Sequence, residues 1–278
     1  MNWKKRFVGY LNTPLLWEGT YFGIEQLKLE PIAPPEFTGA IPSKVRLGFL
    51  AEEFTFDYWN HHPEVDIICK NIQIEGNQQT IGEIDAVLRV NSKLIHTEIA
   101  YKFYLFDPEH GNNEIQHWIG PNRKDTLLAK LERIKEHQLP MIHLPETKTA
   151  LSKFVDKTEE ITSKVWIKGQ LFVPFGKEMN INSLNPDCIA GFYVDFDKMA
   201  QFSSAKFFLP TKQDWFLDVH EGVEWKDVSK VIEEIQPILE RHFSPLLWKK
   251  EANGALSKMF IVWWNSFPNK SQIGNSVD

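Results

Sequence analysis

The spacing of apolar and polar positions changes period several times along the chain. In "SKVRLGFLAEEFTFDYWNHHP" Leu47, Leu50, Ala51, Phe54 and Tyr58 recur at helical spacing until Pro63 ends the pattern, which predicts a helix. Three strand-like runs follow, "EVDIICKNIQIEG", "TIGEIDAVLRV" and "KLIHTEIAYKFYLF", the last two separated by the turn-prone "NSK". After a polar loop from Asp107 to Pro121, the stripe Leu127, Leu128, Leu131 and Ile134 predicts a second helix from about Arg123 to His137, stopped before Pro140. The expected order is αβββα, a sheet with helices packed on it.

Beyond about residue 145 the pattern is weaker. "VWIKGQLFVPF", "CIAGFYVDF", "AKFFLP" and "KMFIVWW" read as strands, and "VSKVIEEIQPILERH" as a helix interrupted at Pro237. This half either extends the same sheet or forms a second subdomain. Its aromatics, including Trp263 and Trp264, read as core rather than as a stacking platform. The Pro-rich "EPIAPPEFTGAIP", residues 30–42, reads as an ordered loop or linker. The expected division is an N-terminal preface with the Pro-rich loop over residues 1–43, an α/β core over 44–145, and a C-terminal α+β extension over 146–278.

Composition narrows the class without deciding it. With 278 residues, 42% of them hydrophobic, the chain is long enough for one large α/β domain or two modest ones. No segment approaches the roughly 20 apolar residues of a membrane span, and the start has no apolar stretch of signal-peptide length, so a cytoplasmic protein is expected. Cys69 and Cys188 lack a CxxC partner or a zinc-spaced His and are expected to be reduced, buried thiols. A net charge of −6 argues against a surface coated in positive charge for nucleic acid, yet Arg123, Lys124, Lys130, Arg133 and Lys135 outnumber Asp125 and Glu132 in one local stretch.

The chemistry is concentrated in "GEIDAVLRVNSKLIHTEIAYKFYL", residues 82–105. Residues two and four apart share a face of a strand, so Glu83 and Asp85 point one way on the second strand, and His96, Glu98, Ala100 and Lys102 share a face on the third. If the strands are neighbours, up to three carboxylates, an imidazole and an ammonium meet at one level. Burying those charges without pairing or a metal is costly. Converging carboxylate oxygens suit a hard divalent cation, and a nearby lysine can orient an attacking water or stabilise charge on a phosphate. The other reading of the same spacing is a salt-bridged surface strand.

The order of a helix Glu, then GxxD, then Glu with a lysine beyond it on successive strands resembles the PD-(D/E)XK nuclease superfamily. More closely, "LGFLAEEF", "GEIDAVL", "HTEIAYKFYL", "GPNRKDTLLAKL", "QLP" and "KGQLFVPF" resemble the bacterial family of unknown function numbered 1853, assigned to that superfamily; the likeness covers roughly residues 45–220. The resemblance implies a restriction-endonuclease-like αβββα core with a mixed sheet flanked by helices. It further implies a metal-dependent nuclease acting on DNA or RNA with Mg²⁺ or Mn²⁺. Asp85 and Glu98 match the metal-binding carboxylates. Glu52 matches the helix acid, with Gly48 leaving room beside it, and Glu53 is its substitute.

The superfamily lysine stands two residues after the glutamate, where this chain has Ala100. Lys102 keeps the face but lies four residues from Glu98, about 13 Å along an extended strand. It serves only if the strand bends or bulges, and Lys130 from the following helix is the competing candidate. Glu83 reads as a supporting residue, His96 as structural rather than a ligand, and Asn122 as a helix cap, with phosphate reception at that helix end as its alternative. The loop with His110, His117 and Trp118 is a candidate flap over nucleic acid. A nuclease-like fold without catalysis, binding nucleic acid or protein, is the alternative function, and a hydrolase of a small phosphorylated metabolite is a third.

Overall fold

Val90 and Lys93 pair across a two-residue turn in which Asn91 and Ser92 both take positive φ, 48° and 68°. That conformation matches the right-handed twist of the strands it joins and fixes their register. The structure, a computed structural model, describes residues 3–42, 45–77, 79–156, 158–177, 179 and 181–264. In chain order its elements are α1 (Trp3–Asn12), β1 (Thr20–Tyr21), β2 (Ile24–Glu25), α2 (Leu47–Asn60), β3 (Val65–Gly76), β4 (Gln79–Val90) and β5 (Lys93–Phe106). Then come α3 (Glu114–His117), β6 (Trp118–Ile119), α4 (Leu127–Arg133), α5 (Pro145–Leu151), β7 (Ile161–Pro174) and β8 (Ile189–Asp195). The last are β9 (Lys206–Phe208), β10 (Lys226–Asp227), α6 (Val228–Leu239), β11 (Leu246–Lys250) and β12 (Leu256–Val262). The chain is thus mixed α/β, built around a large mixed sheet flanked by helices.

Two compact units interleave along the chain. The first consists of Met1–Lys102, Leu128–Gly169 and Ile181–Cys188, the second of Phe103–Leu127, Gln170–Asn180 and Ile189–Asp278. In the first, β3, β4 and β5 form an antiparallel meander with β7 beside β5. Phe56 and Trp59 of α2 pack on Ala86, Leu88, Ile95 and Ile99, which docks the helix against the central strands. A second cluster gathers Cys69, Ile84, Val87 and Leu94 with Met141, Ile142 and Leu151. With helical segments contributing to both clusters, β5 is buried along almost its whole length, where sequence alternation alone suggested one covered face.

In the second unit β7 runs parallel to β8 and β8 to β12, and β12, β11, β9 and β10 continue antiparallel. Val231, Ile235 and Leu239 of α6 close a core with Phe207, Leu247, Met259 and Ile261. Trp263 is buried in that core and Trp264 packs against it, as expected. Both cysteines are free and buried, also as expected. Residues 265–278 of the expected extension lie outside the described residues. Among the described residues no helix is long and apolar enough to cross a membrane.

Three local expectations need correction. The second helix starts at Leu127 rather than Arg123, because residues 120–125 form a turn: Arg123 has φ 55°, and the Gly120 N–H donates to the Asp125 carbonyl. Asn122 is therefore neither helix cap nor phosphate receiver; its Oδ1 accepts from the Ser244 N–H at 2.9 Å. Pro237 does not interrupt α6 but lies inside it, near its C-terminal end.

Candidate functional site

All the residues of the candidate site belong to the first unit. Registered pairing of β4 with β5 runs from Val90↔Lys93 to Ala86↔Thr97. Asp85 is the next residue on β4, and Glu98 the next on β5. There a side chain takes over from the ladder: Asp85 Oδ2 accepts from the Ile99 N–H at 2.8 Å. An obligatory backbone donor stays satisfied while Asp85 is held beside the residue that follows Glu98.

Glu98 is 1% exposed and His96 is fully buried. His96 Nε2 lies 3.1 Å from Glu98 Oε1, and His96 Nδ1 lies 3.2 Å from Ser163 Oγ. The Nε2–H donates to the Glu98 carboxylate, which has no proton to give, and Nδ1 shares a hydrogen bond with the Ser163 hydroxyl. Gln138 Nε2 donates to Glu98 Oε2, and Gln138 Oε1 accepts from the Lys130 ammonium at 2.9 Å. A continuous chain thus runs Ser163, His96, Glu98, Gln138, Lys130.

The backbone after α4 makes this chain possible. Residues Ile134–Gln138 form a π-helical turn before the 3₁₀ segment Leu139–His143. In an unbroken α-helix residues eight apart are offset by about 80° around the axis. The wider π turn takes up that offset and lets Gln138 reach Lys130, consistent with the frequent occurrence of such turns at functional sites.

Electrostatics join Asp85 and Glu52 to the same group. Burial, then the Glu98 charge, push the Asp85 carboxyl up to about 8; Ile99 and Lys130 act in the other direction. Burial followed by Glu83, Glu53 and Glu98 raises Glu52, which Lys130 again offsets. Burial and the neighbouring Lys102 ammonium lower Lys130, against the pull of Glu98 and Asp85. Of the two lysines the sequence offered, Lys130 is the one whose charge offsets both Asp85 and Glu52. Lys102 is half-buried and near enough to repel Lys130. Glu83 is exposed, and its charge acts on Glu52. At Gly48, one turn before Glu52, an added Cβ would meet nothing within 4 Å.

The donor set is oxygen-rich and carries more negative than positive charge, which is what a hard divalent ion offsets. Among the described residues no three His, Cys, Asp or Glu side chains converge closely enough to hold a metal. An ion here would have at most one or two carboxylate ligands and otherwise water, a pattern that Mg²⁺ accepts.

The candidate flap closes on its own loop. His117 Nδ1 bonds the His110 carbonyl at 3.0 Å, His110 Nδ1 bonds the Gln116 carbonyl at 2.9 Å, and Trp118 is fully buried. The His117 ring also lies 5.0 Å from that of Phe106. These partners leave the three side chains anchoring the loop.

Residues 25–262 match the family model described as a domain of unknown function, DUF1853. The chain belongs to this family. No curated protein and no solved structure matches the chain. Within this DUF1853 member, sequence reasoning missed Gln138 and Ser163. Gln138 opens the family-like string "QLP", and that string ahead of Pro140 was its one visible signal; nothing in the local sequence marks Ser163.

Proposed function

We propose that this DUF1853 protein is a metal-dependent nuclease that hydrolyses phosphodiester bonds of DNA or RNA, with a PD-(D/E)XK-like site in its first unit. The observation that carries the reading is the juxtaposition of Asp85 with Glu98 where β4–β5 pairing ends, with Glu52 and Lys130 coupled to them. Support also comes from the element order: a helix, three antiparallel strands, a helix and a fourth strand beside β5. Bound Mg²⁺ or Mn²⁺ would polarise the phosphate and lower the pKa of a coordinated water. Asp85 and Glu98 would hold that ion, and Glu52 would act on its water shell. His96 and Gln138 fix the Glu98 carboxylate from both sides. Lys130, lowered by burial and Lys102, has a proton it can release or donate near the phosphate.

A second reading, a nuclease-like fold that binds nucleic acid or protein without cutting, is favoured by two observations. Ala100 occupies the usual lysine position, and both Glu98 oxygens already accept hydrogen bonds. The test incubates purified protein with single- and double-stranded DNA and RNA in Mg²⁺, in Mn²⁺ and in chelator. Metal-dependent cleavage, abolished in Asp85→Asn and Glu98→Gln proteins with unchanged circular dichroism, is expected. Salt-sensitive binding with no cleavage in any metal would favour the second reading instead.

A further inference from the structure

A pocket of about 350 Å³ in the second unit is lined by Trp215, Phe243, Lys212, Arg241, Asn122 and Ser244, among others. Phe243 is 38% exposed, a large apolar ring left facing solvent. Two ammonium groups stand over it: Lys124 Nζ is 5.3 Å and Lys212 Nζ 6.0 Å from the ring centroid. Lys212 also lies 5.7 Å from the Trp215 ring. Arg241, which lines the pocket, donates from Nε to the Pro237 carbonyl. Among the described residues none of these three cations is in an ion pair, although the chain as a whole carries a net charge of −6.

The surrounding backbone is tied down. Asn122 Oδ1 accepts from the Ser244 N–H at 2.9 Å, and the Ser244 hydroxyl donates to the Pro121 carbonyl at 2.7 Å. These bonds fasten the turn bearing Lys124 to the segment bearing Phe243. Two ammonium groups at one exposed ring, with Arg241 lining the same pocket, repel one another, and an anion relieves that repulsion. The ring beneath them offers a face to a planar partner. An anionic group beside a flat π-system describes a nucleotide, and the volume lies within the ordinary range of small-ligand pockets.

We propose that this pocket binds one nucleotide unit of a single-stranded nucleic acid, its base on Phe243 and its phosphate among Lys124, Lys212 and Arg241. The choice of a strand over a free nucleotide rests on the nuclease reading; the pocket itself does not.

Fluorescence anisotropy of a labelled 12-residue oligothymidylate, measured in chelator so that nothing is cut, tests the proposal. The Lys124→Ala, Lys212→Ala, Arg241→Ala triple variant is expected to bind at least tenfold more weakly. Its salt dependence should be shallower by about 0.7 in log–log slope, the value for one phosphate of a single strand. Phe243→Ala should lose about tenfold, in the range of one stacked base, while Phe243→Trp retains affinity. The affinity is read in chelator, without metal or cleavage, so failure of cleavage alone leaves the pocket standing. Equal displacement of the oligonucleotide by thymidine monophosphate and by unlabelled strand supports the same pocket chemistry with a free nucleotide as its source. Triple-variant affinity within twofold of wild type, or an unchanged salt slope, overturns the proposal.

Discussion

Replacing Asp85 by Asn should make the metal-free protein more stable, and more so as pH rises. The carboxyl, ordinarily near 3.8, stands at about 8 in the folded chain because burial and the charges of Glu98 and Glu52 disfavour its ionised form. A folded state that holds a proton more tightly than the unfolded chain loses stability as pH climbs from the unfolded value to the folded one. The penalty is absent below about pH 4, grows to about pH 8 and is constant above. At about 1.4 kcal/mol per tenfold change in acidity, that displacement sets a ceiling of roughly 6 kcal/mol. Sharing of charge among three coupled carboxylates and residual water contact reduce it, and a gain of about 2–3 kcal/mol is expected at pH 8. Asn keeps the acceptor for the Ile99 N–H, so the comparison isolates charge. For a chain of this size the gain is roughly 3–5 °C in melting temperature. Calorimetry of both proteins in chelator from pH 4 to pH 9 reads it directly, and Mg²⁺ should narrow the gap by stabilising wild type alone. An Asn variant less stable than wild type at pH 8, or a difference that does not change with pH, would refute the electrostatic account.

Lys130→Met should reduce cleavage at least 100-fold, within the usual span for loss of a proton-transfer group, while Lys102→Met changes it less than tenfold; single-turnover assays with saturating metal would expose the reverse ranking. Gln138→Leu leaves Glu98 Oε2 and the Lys130 ammonium without their shared partner. It should cost about 1–3 kcal/mol in urea unfolding, and an unchanged midpoint would show that the contact is energetically idle. Lys168 is 6% exposed and donates to the carbonyls of Tyr10, Leu11 and Thr13, at and just beyond the C-terminal end of α1. Lys168→Met should therefore destabilise the protein by about 3 kcal/mol, and thermal melting at pH 6 equal to wild type would contradict that role.

Helix α2, the three-stranded meander and the carboxylates were legible because their signals are local. Period 3.6 ran up to Pro63, period 2 placed Asp85 and Glu98 on their strands, and "NSK" announced the turn that sets their register. What stayed hidden depends on distant partners or on backbone irregularity. Lys102 has the alternation expected of a site lysine, yet Lys130 holds the Gln138 contact because a π turn follows α4. A π turn has no composition of its own. Asn122 looked like a cap because its partner, Ser244, is more than a hundred residues away in sequence. The strand β11, "LLWKK", was missed because it shows no polar alternation: Leu246, Leu247, Trp248 and Lys249 are all buried. Interleaving of the two units also leaves no local mark, since β5 and β7 pass from one unit to the other without a break in strand pattern.

Energetically, the end of β4–β5 pairing is where the chain departs from what a stable sheet would choose. A strand built for stability would place an apolar residue at position 85 and let a main-chain carbonyl receive the Ile99 N–H. Here a carboxylate receives it, at the cost of an acid driven up to about 8. The neighbouring Glu98 is buried still more completely, yet it sits between a histidine and a glutamine that donate to its two oxygens. One carboxylate is thus fixed by two side-chain donors and the other left strained by charge, within a frame of packed aromatic and aliphatic side chains that holds both. Packing alone does not require that combination, because an amide or apolar residue at position 85 would remove the strain. Local rules of stability are commonly broken where a site is kept for chemistry. The predicted stabilisation by Asp85→Asn is the thermodynamic form of that statement: a buried charge that is costly with no cation beside it is the kind of charge that would hold one.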